Sequence, residues 1–213
     1  MAFRGWTDEA IRFFEELEVD NTKAFWLAHK DVYEEQVRAP MRALLDDLEE
    51  EFGRARMFRP YRDTRFSADK SPYKTTIAAE LERGGYVQFS AAGLGVGAGS
   101  YHLAPDQLDR YRGAVAADRT GREIAGIVAT LRRDGYEVMA HDSLKTAPRG
   151  YPKDHPRLEL LRLKGLAVWR QLPASDWLGS SKAPAKVTAA LRSARPLTAW
   201  LEAYVGPSRL PPR

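Results

Sequence analysis

Hydrophobic residues recur every three or four positions at the start of the chain, which predicts a layer of helices. The first helix is predicted to begin after Thr7, a hydroxyl cap followed by acidic residues, and to run to about Leu17. Asn21 is predicted to cap a second helix. A third helix carries the longest apolar stripe and is predicted to end at Gly53. The residues of that stripe are Val37, Met41, Leu44, Leu45, Leu48 and Phe52.

The apolar pattern changes from helical to alternating after residue 57, which predicts strands. We expect strands over residues 58–66, 77–81 and 86–90, the last two joined by a turn at a Gly-Gly pair. Pro60 restricts the first of these strands to a sheet edge or a strand start. In residues 93–99 every second residue is glycine. A strand there has one face without side chains, so another part of the molecule can approach its backbone closely.

Helical spacing returns in the last half of the chain. The remaining predicted elements are a helix from Pro105, an amphipathic helix over 124–131, a polar loop over 142–156, a short helix from Pro156 to Gly165, a strand over 166–172 and two final helices joined near Pro196. The elements together predict a single α+β domain, in which N-terminal helices pack on a mainly antiparallel sheet and further helices follow. We expect this domain to span residues 1–206 and residues 207–213 to form a flexible tail.

Composition excludes several classes of site. The 213 residues include no cysteine, which excludes disulfides, thiolate catalysis and cysteine-ligated zinc or iron–sulfur centres. The four histidines are scattered, and no metal site is predicted. No apolar run approaches the roughly 20 residues that cross a bilayer, and no signal-like apolar core follows the N-terminus. A soluble, cytoplasmic protein without membrane contact is the expectation.

The net charge of +4 conceals an asymmetry along the chain. Residues 1–140 hold 20 basic and 24 acidic residues, whereas residues 141–213 hold 13 and 5. A basic C-terminal third suits nucleic acid, with Lys186, Arg192 and Arg195 as the residues to neutralise. Docking on the acidic N-terminal helices is the favoured interpretation. No recognised nucleic-acid motif accompanies it, so nucleic acid is the less favoured partner.

The densest chemistry lies in residues 58–75, which we call the central segment. Its sequence is FRPYRDTRFSADKSPYKT, with five cations and only two acids. The cations are Arg59, Arg62, Arg65, Lys70 and Lys74, and the acids are Asp63 and Asp69. Guanidinium groups beside aromatic rings and hydroxyls can hold a phosphate or a carboxylate.

The central segment also resembles the signature of the bacterial and fungal family called domain of unknown function 2461. Three other stretches fit the resemblance: the helix start Asn-Thr-Lys-Ala-Phe-Trp from Asn21, the glycine-rich strand that leads to Tyr101, and Leu144-Lys145 followed by Pro-Arg-Gly-Tyr at 148–151. The resemblance covers residues 6–204 in one collinear order. It implies a compact domain with the central segment as its hallmark, and it implies no reaction, substrate or cofactor.

Two interpretations of the central segment remain open. On a strand, Arg59, Tyr61, Asp63 and Arg65 share one face, so two guanidiniums could hold an anion while the carboxylate orients them. Alternatively the carboxylate pairs with an arginine in an internal salt-bridge network.

The end of the segment is equally ambiguous. Lys70, Ser71 and Lys74 suit an anion cradle, whereas a turn with Ser71 before Pro72 at the first helical position is the structural alternative. The Ser-x-x-Lys pattern from Ser67 to Lys70 lacks the accompanying motifs of penicillin-recognising enzymes.

A second basic stretch, the Pro- and Gly-rich residues 145–155, carries Lys145, Arg149, Lys153 and His155. Folded against the central segment it would complete one anion pocket; alone it is a solvated surface loop. The sequence thus predicts a domain that binds a small anion, with or without catalysis. The predicted ligand-binding residues are Arg59, Arg62, Asp63, Arg65, Lys70, Ser71, Tyr73, Lys74, Lys145 and Arg149. A nucleic-acid-binding module and a non-catalytic structural or protein-interaction domain are the alternatives, and no cofactor, reaction class or oligomeric state is assigned.

Overall fold

The computed structural model describes residues 3–65 and 67–211, and its architecture confirms the α+β prediction. The helices are α1 (Asp8–Val19), α2 (Lys23–Ala28), α3 (Lys30–Val32), a π-helix (Tyr33–Arg38), α4 (Ala39–Phe52), α5 (Pro105–Ala116), α6 (Asp118–Arg133), α7 (Leu158–Arg162) and α8 (Ala183–Tyr204). The strands are β1 (Ala55–Met57), β2 (Thr76–Leu81), β3 (Tyr86–Ser90), β4 (Gly93–Ser100), β5 (Glu137–Met139) and β6 (Leu166–Pro173). They form one sheet in the order β1-β2-β3-β4-β6-β5.

The chain divides into two compact units. The first comprises Met1–Val96 and Gln171–Ala190, and the second comprises Gly97–Arg170 and Leu191–Arg213. The central segment belongs to the first unit, and the basic stretch 145–155 belongs to the second. The interpretation of the chain as a single domain stays a prediction.

Two helix caps differ from the predictions. Thr7 stands before α1 as expected, but its hydroxyl contacts the Gln36 side chain at 3.1 Å and makes no cap hydrogen bond. Thr22, not Asn21, caps α2, because its hydroxyl oxygen accepts from the Phe25 N–H at 3.2 Å. Asn21 is therefore free to bond elsewhere, and its partner lies in the central segment.

The predicted third helix is confirmed, with a π-helical entry that the apolar pattern did not reveal. All six residues of the predicted stripe are buried. The helix ends at Gly53, whose φ of +75° lies in the region that favours glycine.

The strand predicted over residues 58–66 is wrong. The strand at this sheet edge is β1, which ends at Met57, just before the predicted position, and pairs antiparallel with β2. Pro60 has no N–H to donate to a ladder, and among the described residues of 58–66 only Tyr61 has strand-type pairing, in an isolated bridge with Tyr73. Phe66, the last residue of that prediction, lies outside the described residues. The next two strands are confirmed, and their turn contains Gly84 and Gly85 at φ of +85° and +122°.

The glycine-rich strand β4 is confirmed, and its missing side chains permit close backbone approach. A Cβ placed on Gly93 would lie 2.6 Å from Ala174 N. A Cβ on Gly99 would lie 2.5 Å from Leu166 O. Both neighbours are backbone atoms, so the glycines serve packing of the chain on itself.

The second unit has its own apolar core around Trp200, Tyr111 and Ile124. Trp200 Nε1 donates to Thr120 O at 3.1 Å, and the Tyr111 hydroxyl donates to Leu160 O at 2.9 Å. Because of these bonds, neither buried ring leaves a polar atom in the core without a hydrogen-bond partner.

Two predictions about the last third of the chain are wrong in detail. The short helix α7 begins at Leu158, two residues after the predicted Pro156. The C-terminal helix is one element with Pro196 inside it, not two helices joined there. Helical spacing of buried residues continues across the proline, and this burial outweighs the lost backbone hydrogen bond. Those buried residues are Leu191, Ala194, Leu197, Trp200 and Leu201.

Residues just after α8 have partners on α5. The Ser208 hydroxyl and the Arg209 N–H donate to Asp106 at 2.8 Å each, and Arg110 donates to Pro207 O at 2.7 Å. These donors hold the pKa of Asp106 well below its usual range. Among the described residues, no helix has both the length and the apolar character needed to span a membrane.

Candidate functional site

The central segment forms two short antiparallel arms that meet at one bridge between Tyr61 and Tyr73. Two backbone hydrogen bonds flank the bridge, from the Arg62 N–H to Pro72 O at 2.9 Å and from the Lys74 N–H to Pro60 O at 2.8 Å. Residues 63–65 and 67–71 lie in the loop between the arms. The predicted sharing of one strand face by four residues is therefore wrong, because only the bridge has strand pairing.

Asp69 closes the loop. Its carboxylate accepts from the Ser71 N–H at 2.9 Å and from the Ser71 hydroxyl at 2.6 Å, and it forms an ion pair with Arg62. The hydroxyl of Ser71, followed by the Arg62 guanidinium, holds the pKa of Asp69 well below its usual range. The turn at Ser71 is present, but no helix begins at Pro72, since the next element is β2. The prediction of a helix that begins at Pro72 is therefore wrong.

Asp63, the second carboxylate in the loop, is also paired with an arginine. Arg65 donates to Asp63 through Nε at 2.9 Å and through Nη2 at 2.7 Å, a bidentate pair. This pair lowers the pKa of Asp63. Lys70 Nζ donates to Thr64 O at 2.9 Å. Three cations of the segment thus have partners inside it, namely Arg62, Arg65 and Lys70.

Arg59 and Lys74 differ from those three. Within residues 3–65 and 67–211, neither side chain has a hydrogen bond or an ion pair. Lys74 is half-buried, and its Nζ lies 5.5 Å from the centroid of the Phe58 ring. Burial, and secondly the charge of Arg59, lower the pKa of the Lys74 ammonium. Glu80 on β2 forms an ion pair with Arg56 at 2.7 Å.

The arms rest on buried aromatic rings. Tyr73 stacks on Trp26 with centroids 4.3 Å apart and planes 7° from parallel. Tyr33 packs on the same indole at 4.7 Å, and burial raises the pKa of its hydroxyl to about 12. Tyr61 lies 5.5 Å from the Tyr73 ring and is 51% exposed. The bridge therefore presents one buried ring to the core and one accessible ring to solvent.

Asn21 ties the second arm to the helices. Its side-chain amide donates to Tyr73 O and accepts from the Tyr73 N–H, both at 3.0 Å. Sequence reasoning missed this role, as it missed Trp26 as a support. Both residues lie in the Asn-Thr-Lys-Ala-Phe-Trp stretch of the family resemblance, which was the signal that connected them with the central segment.

The basic stretch of the second unit has hydrogen bonds at both ends, and Tyr151 within it packs against the apolar core of that unit. The Leu144 N–H donates to Arg162 O at 2.8 Å, and His155 Nδ1 accepts from the Arg157 N–H at 3.0 Å. Lys145 and Arg149 are exposed, and neither has an ion pair among the described residues. The pairing of this stretch with the central segment stays a prediction. His102 and His141 approach with ring centroids 5.3 Å apart, but no group of three or more metal-type ligands occurs in the described part of the chain.

A cavity of about 290 Å³ lies elsewhere in the first unit, between α4 and β1. Arg42, Asp46, Arg54 and Met57 are among its lining residues, and none of the predicted site residues lines it. Its acidic and basic groups are mixed, and Arg54 lies 3.9 Å from Glu49. The cavity is therefore a different feature from the predicted anion site.

The residues chosen for the nucleic-acid alternative lie on α8. Lys186 is exposed, with Nζ 5.1 Å from the centroid of the Trp177 ring. Arg192 and Arg195 are also exposed. They carry no base-reading motif, and their exposure fits any solvated helix face.

Comparison with protein families matches residues 9–200 to the family described as conserved hypothetical protein (DUF2461). The matched range includes the central segment and most of both units. No curated protein and no solved structure matched the chain.

Proposed function

The chain belongs to the DUF2461 family of conserved hypothetical proteins, and from its geometry we propose that the central segment binds a small ligand bearing a phosphate or a carboxylate. One observation carries the proposal: the Lys74 N–H donates to Pro60 O, which sets Lys74 across from the arm that bears Arg59, and neither side chain has a hydrogen bond or an ion pair among the described residues.

The charge balance around the two cations supports an anionic ligand. Each nearby carboxylate is already engaged by an arginine, in the pairs Asp63–Arg65, Asp69–Arg62 and Glu80–Arg56. Lys74 is half-buried and Arg59 is exposed, and the charge of Arg59 disfavours the ammonium form of Lys74. An anion placed between them removes that repulsion and gains charge-assisted hydrogen bonds from both.

The other predicted residues fit supporting roles in this proposal. Arg62, Asp63, Arg65, Lys70 and Ser71 hold the loop between the arms in one conformation. Tyr73 fixes the second arm through its ring and its backbone. A segment that is ordered before binding loses less conformational entropy when the ligand arrives. Tyr61 then offers an accessible ring beside the anion-binding cations.

Isothermal titration with inorganic phosphate, a nucleoside monophosphate and a dicarboxylate tests the proposal. We expect one of these anions to bind, and Arg59→Gln or Lys74→Gln to weaken it about tenfold, since a hydrogen bond to a charged group contributes roughly 1.5–3 kcal/mol. Arg12→Gln and Lys23→Gln are the matched controls, because both side chains are exposed on helices of the same unit. Equal affinities in all four variants would refute the proposal, as would a wild type that binds none of the three anions.

A further inference from the structure

The strand β1 is an edge of the sheet, and backbone groups on its outer side have no partner in the described part of the chain. Its neighbour in the sheet is β2, with which it pairs antiparallel. The Phe58 N–H, just after β1, donates to Ala78 O of β2 at 2.9 Å. Because bonding direction alternates along an antiparallel strand, Ala55 and Met57 point their N–H and C=O groups away from β2. Neither residue has a hydrogen bond on that side within residues 3–65 and 67–211.

The cavity of about 290 Å³ between α4 and β1 lies beside these free groups. Ala55 and Met57 line it from β1, and Leu45 lines it from α4. Both β1 residues are half-buried whereas Arg56 between them is exposed, so their side chains share the strand face that borders the cavity. An extended peptide binds at such an edge by adding a strand: main-chain hydrogen bonds supply affinity, and contacts of alternate side chains supply specificity.

Arg42 and Asp46 line the same cavity from α4 with opposite charges. Both are exposed, and neither forms an ion pair or a hydrogen bond with any described residue. Four positions on a helix advance about 6 Å, and two positions on a strand advance about 6.6 Å. Alternate side chains of an added strand therefore match the spacing of these two charges. The other charged lining residues have partners, in the pairs Arg38–Glu34 and Arg54–Glu49.

We propose that the groove between α4 and β1 binds an extended peptide segment of another protein, with an acidic and a basic residue two positions apart. The peptide backbone bonds to the free groups of Ala55 and Met57. Its acidic side chain pairs with Arg42, and its basic side chain pairs with Asp46. This site is independent of the proposed anion site, because none of these four residues belongs to the central segment.

A second copy of the chain fits this edge less well than a peptide. Two β1 strands that paired through Ala55 and Met57 around a two-fold axis would set Arg56 directly opposite its own counterpart. Like charges in that position are destabilising. Short strands with charged side chains are also how proteins prevent their sheet edges from joining. A separate peptide avoids the repulsion and can supply the charges that Arg42 and Asp46 lack.

Selection from a phage library of random nine-residue peptides tests the charge pattern on the full chain. The matched protein is the double variant Arg42→Asp, Asp46→Arg, which exchanges the two charges and keeps the net charge. We expect the wild type to enrich peptides with an acidic and a basic residue two positions apart, and the double variant to enrich the reverse order. No enrichment, or the same order with both proteins, would overturn the proposal.

Hydrogen exchange tests the strand addition with a synthetic copy of an enriched peptide. We expect the peptide to slow exchange at the Ala55 and Met57 amides and to leave the Arg56 amide, which faces β2, unchanged. Protection at other amides instead would overturn the proposal. Protection of Ala55 and Met57 that rises with protein concentration in the absence of peptide would also overturn it, because a second copy would then occupy the edge.

Ala55→Pro tests the same bonds by removing one outward N–H. Proline is tolerated on an edge strand where its nitrogen faces away from the ladder, so thermal unfolding should show a folded protein. Fluorescence anisotropy should show that this variant binds the peptide about tenfold more weakly than the wild type. Equal affinity in a folded variant would contradict strand addition, and the exchange measurement on the wild type decides the question if the variant does not fold.

Discussion

The central segment and the basic stretch 145–155 have similar compositions and different structural settings. Each carries cations without carboxylate partners among the described residues. In the central segment, Lys74 is half-buried against an aromatic ring, and Asn21 and Trp26 support the arm that bears it. In the other stretch, Lys145 and Arg149 stand in solvent. Water and salt screen an exposed charge, so the half-buried Lys74 is a stronger indication of a site than Lys145, Arg149 or Arg59, which are all exposed.

The variant with the largest expected effect removes the aromatic ring that supports the arm bearing Lys74. Trp26→Ala is expected to lower the free energy of unfolding by about 3–5 kcal/mol, because Trp26 is buried and its ring carries Tyr73. Urea unfolding measures the change. Leu27→Ala, at a neighbouring position that is 62% exposed, is the control and should change stability by less than about 0.5 kcal/mol. Similar losses in both variants would mean that the ring does not support the arm.

The next effect comes from the amide of Asn21. Asn21→Ala is expected to cost about 1–3 kcal/mol, because the Tyr73 N–H and C=O lose their partners at a part-buried position. Thr22→Ala, which removes only a helix cap, is expected to cost about 1 kcal/mol. Hydrogen exchange distinguishes the two variants, since only Asn21→Ala should expose the Tyr73 amide. An unchanged exchange rate for the Tyr73 amide would show that Asn21 does not hold this arm.

Anion affinity compares the two basic regions directly. Arg149→Gln and Lys145→Gln are expected to change the affinity for phosphate by less than about twofold, because screened surface charges contribute little. Arg59→Gln is expected to weaken it about tenfold. A tenfold loss in Arg149→Gln would instead support the expectation from the sequence that the second stretch closes the anion pocket.

The smallest effect is a dependence of stability on pH from Asp69. Its pKa is lowered in the folded protein, so its contribution is present above about pH 4, the ordinary carboxyl value, and is lost as pH falls. The difference in unfolding free energy between the wild type and Asp69→Asn should therefore shrink from pH 7 to pH 3. Because the carboxylate is exposed, the difference is small at every pH. A difference that grows toward acid would show that the sign is wrong.

The parts of the fold that the sequence predicts correctly are those with a local signal. The apolar stripe from Val37 to Phe52 repeats within one helix, and Gly84-Gly85 sits inside its own turn. The strand predicted at 58–66 lies instead at Ala55–Met57, before the proline that cannot donate to a ladder. The tie between Asn21 and Tyr73 spans 52 positions and has no local signal. A proline predicts a helix break, so the sequence places two helices around Pro196. The burial of residues on both sides of it, which keeps the helix continuous, is visible only in the folded chain.

The candidate site divides in the same manner. The excess of cations in the central segment can be counted in the sequence. The family resemblance identifies this segment as the hallmark of the family. Which cations keep a free charge depends on pairings such as Arg62 with Asp69, seven positions apart across a loop. Asp63 was considered equally as a ligand-orienting group and as a pairing partner, and only the bidentate geometry with Arg65 establishes the pairing.

The Asn21 tie has a consequence for the chemical ageing of the protein. Hydrolysis of its side-chain amide to a carboxylate would replace a donor with an acceptor and set a negative charge against the carbonyl oxygen of Tyr73. This change in the side chain of Asn21, which precedes α2, would then weaken the attachment of the arm that carries Lys74. Storage of the protein is therefore expected to weaken the central segment when this amide hydrolyses, and a mass increase at residue 21 would identify that loss.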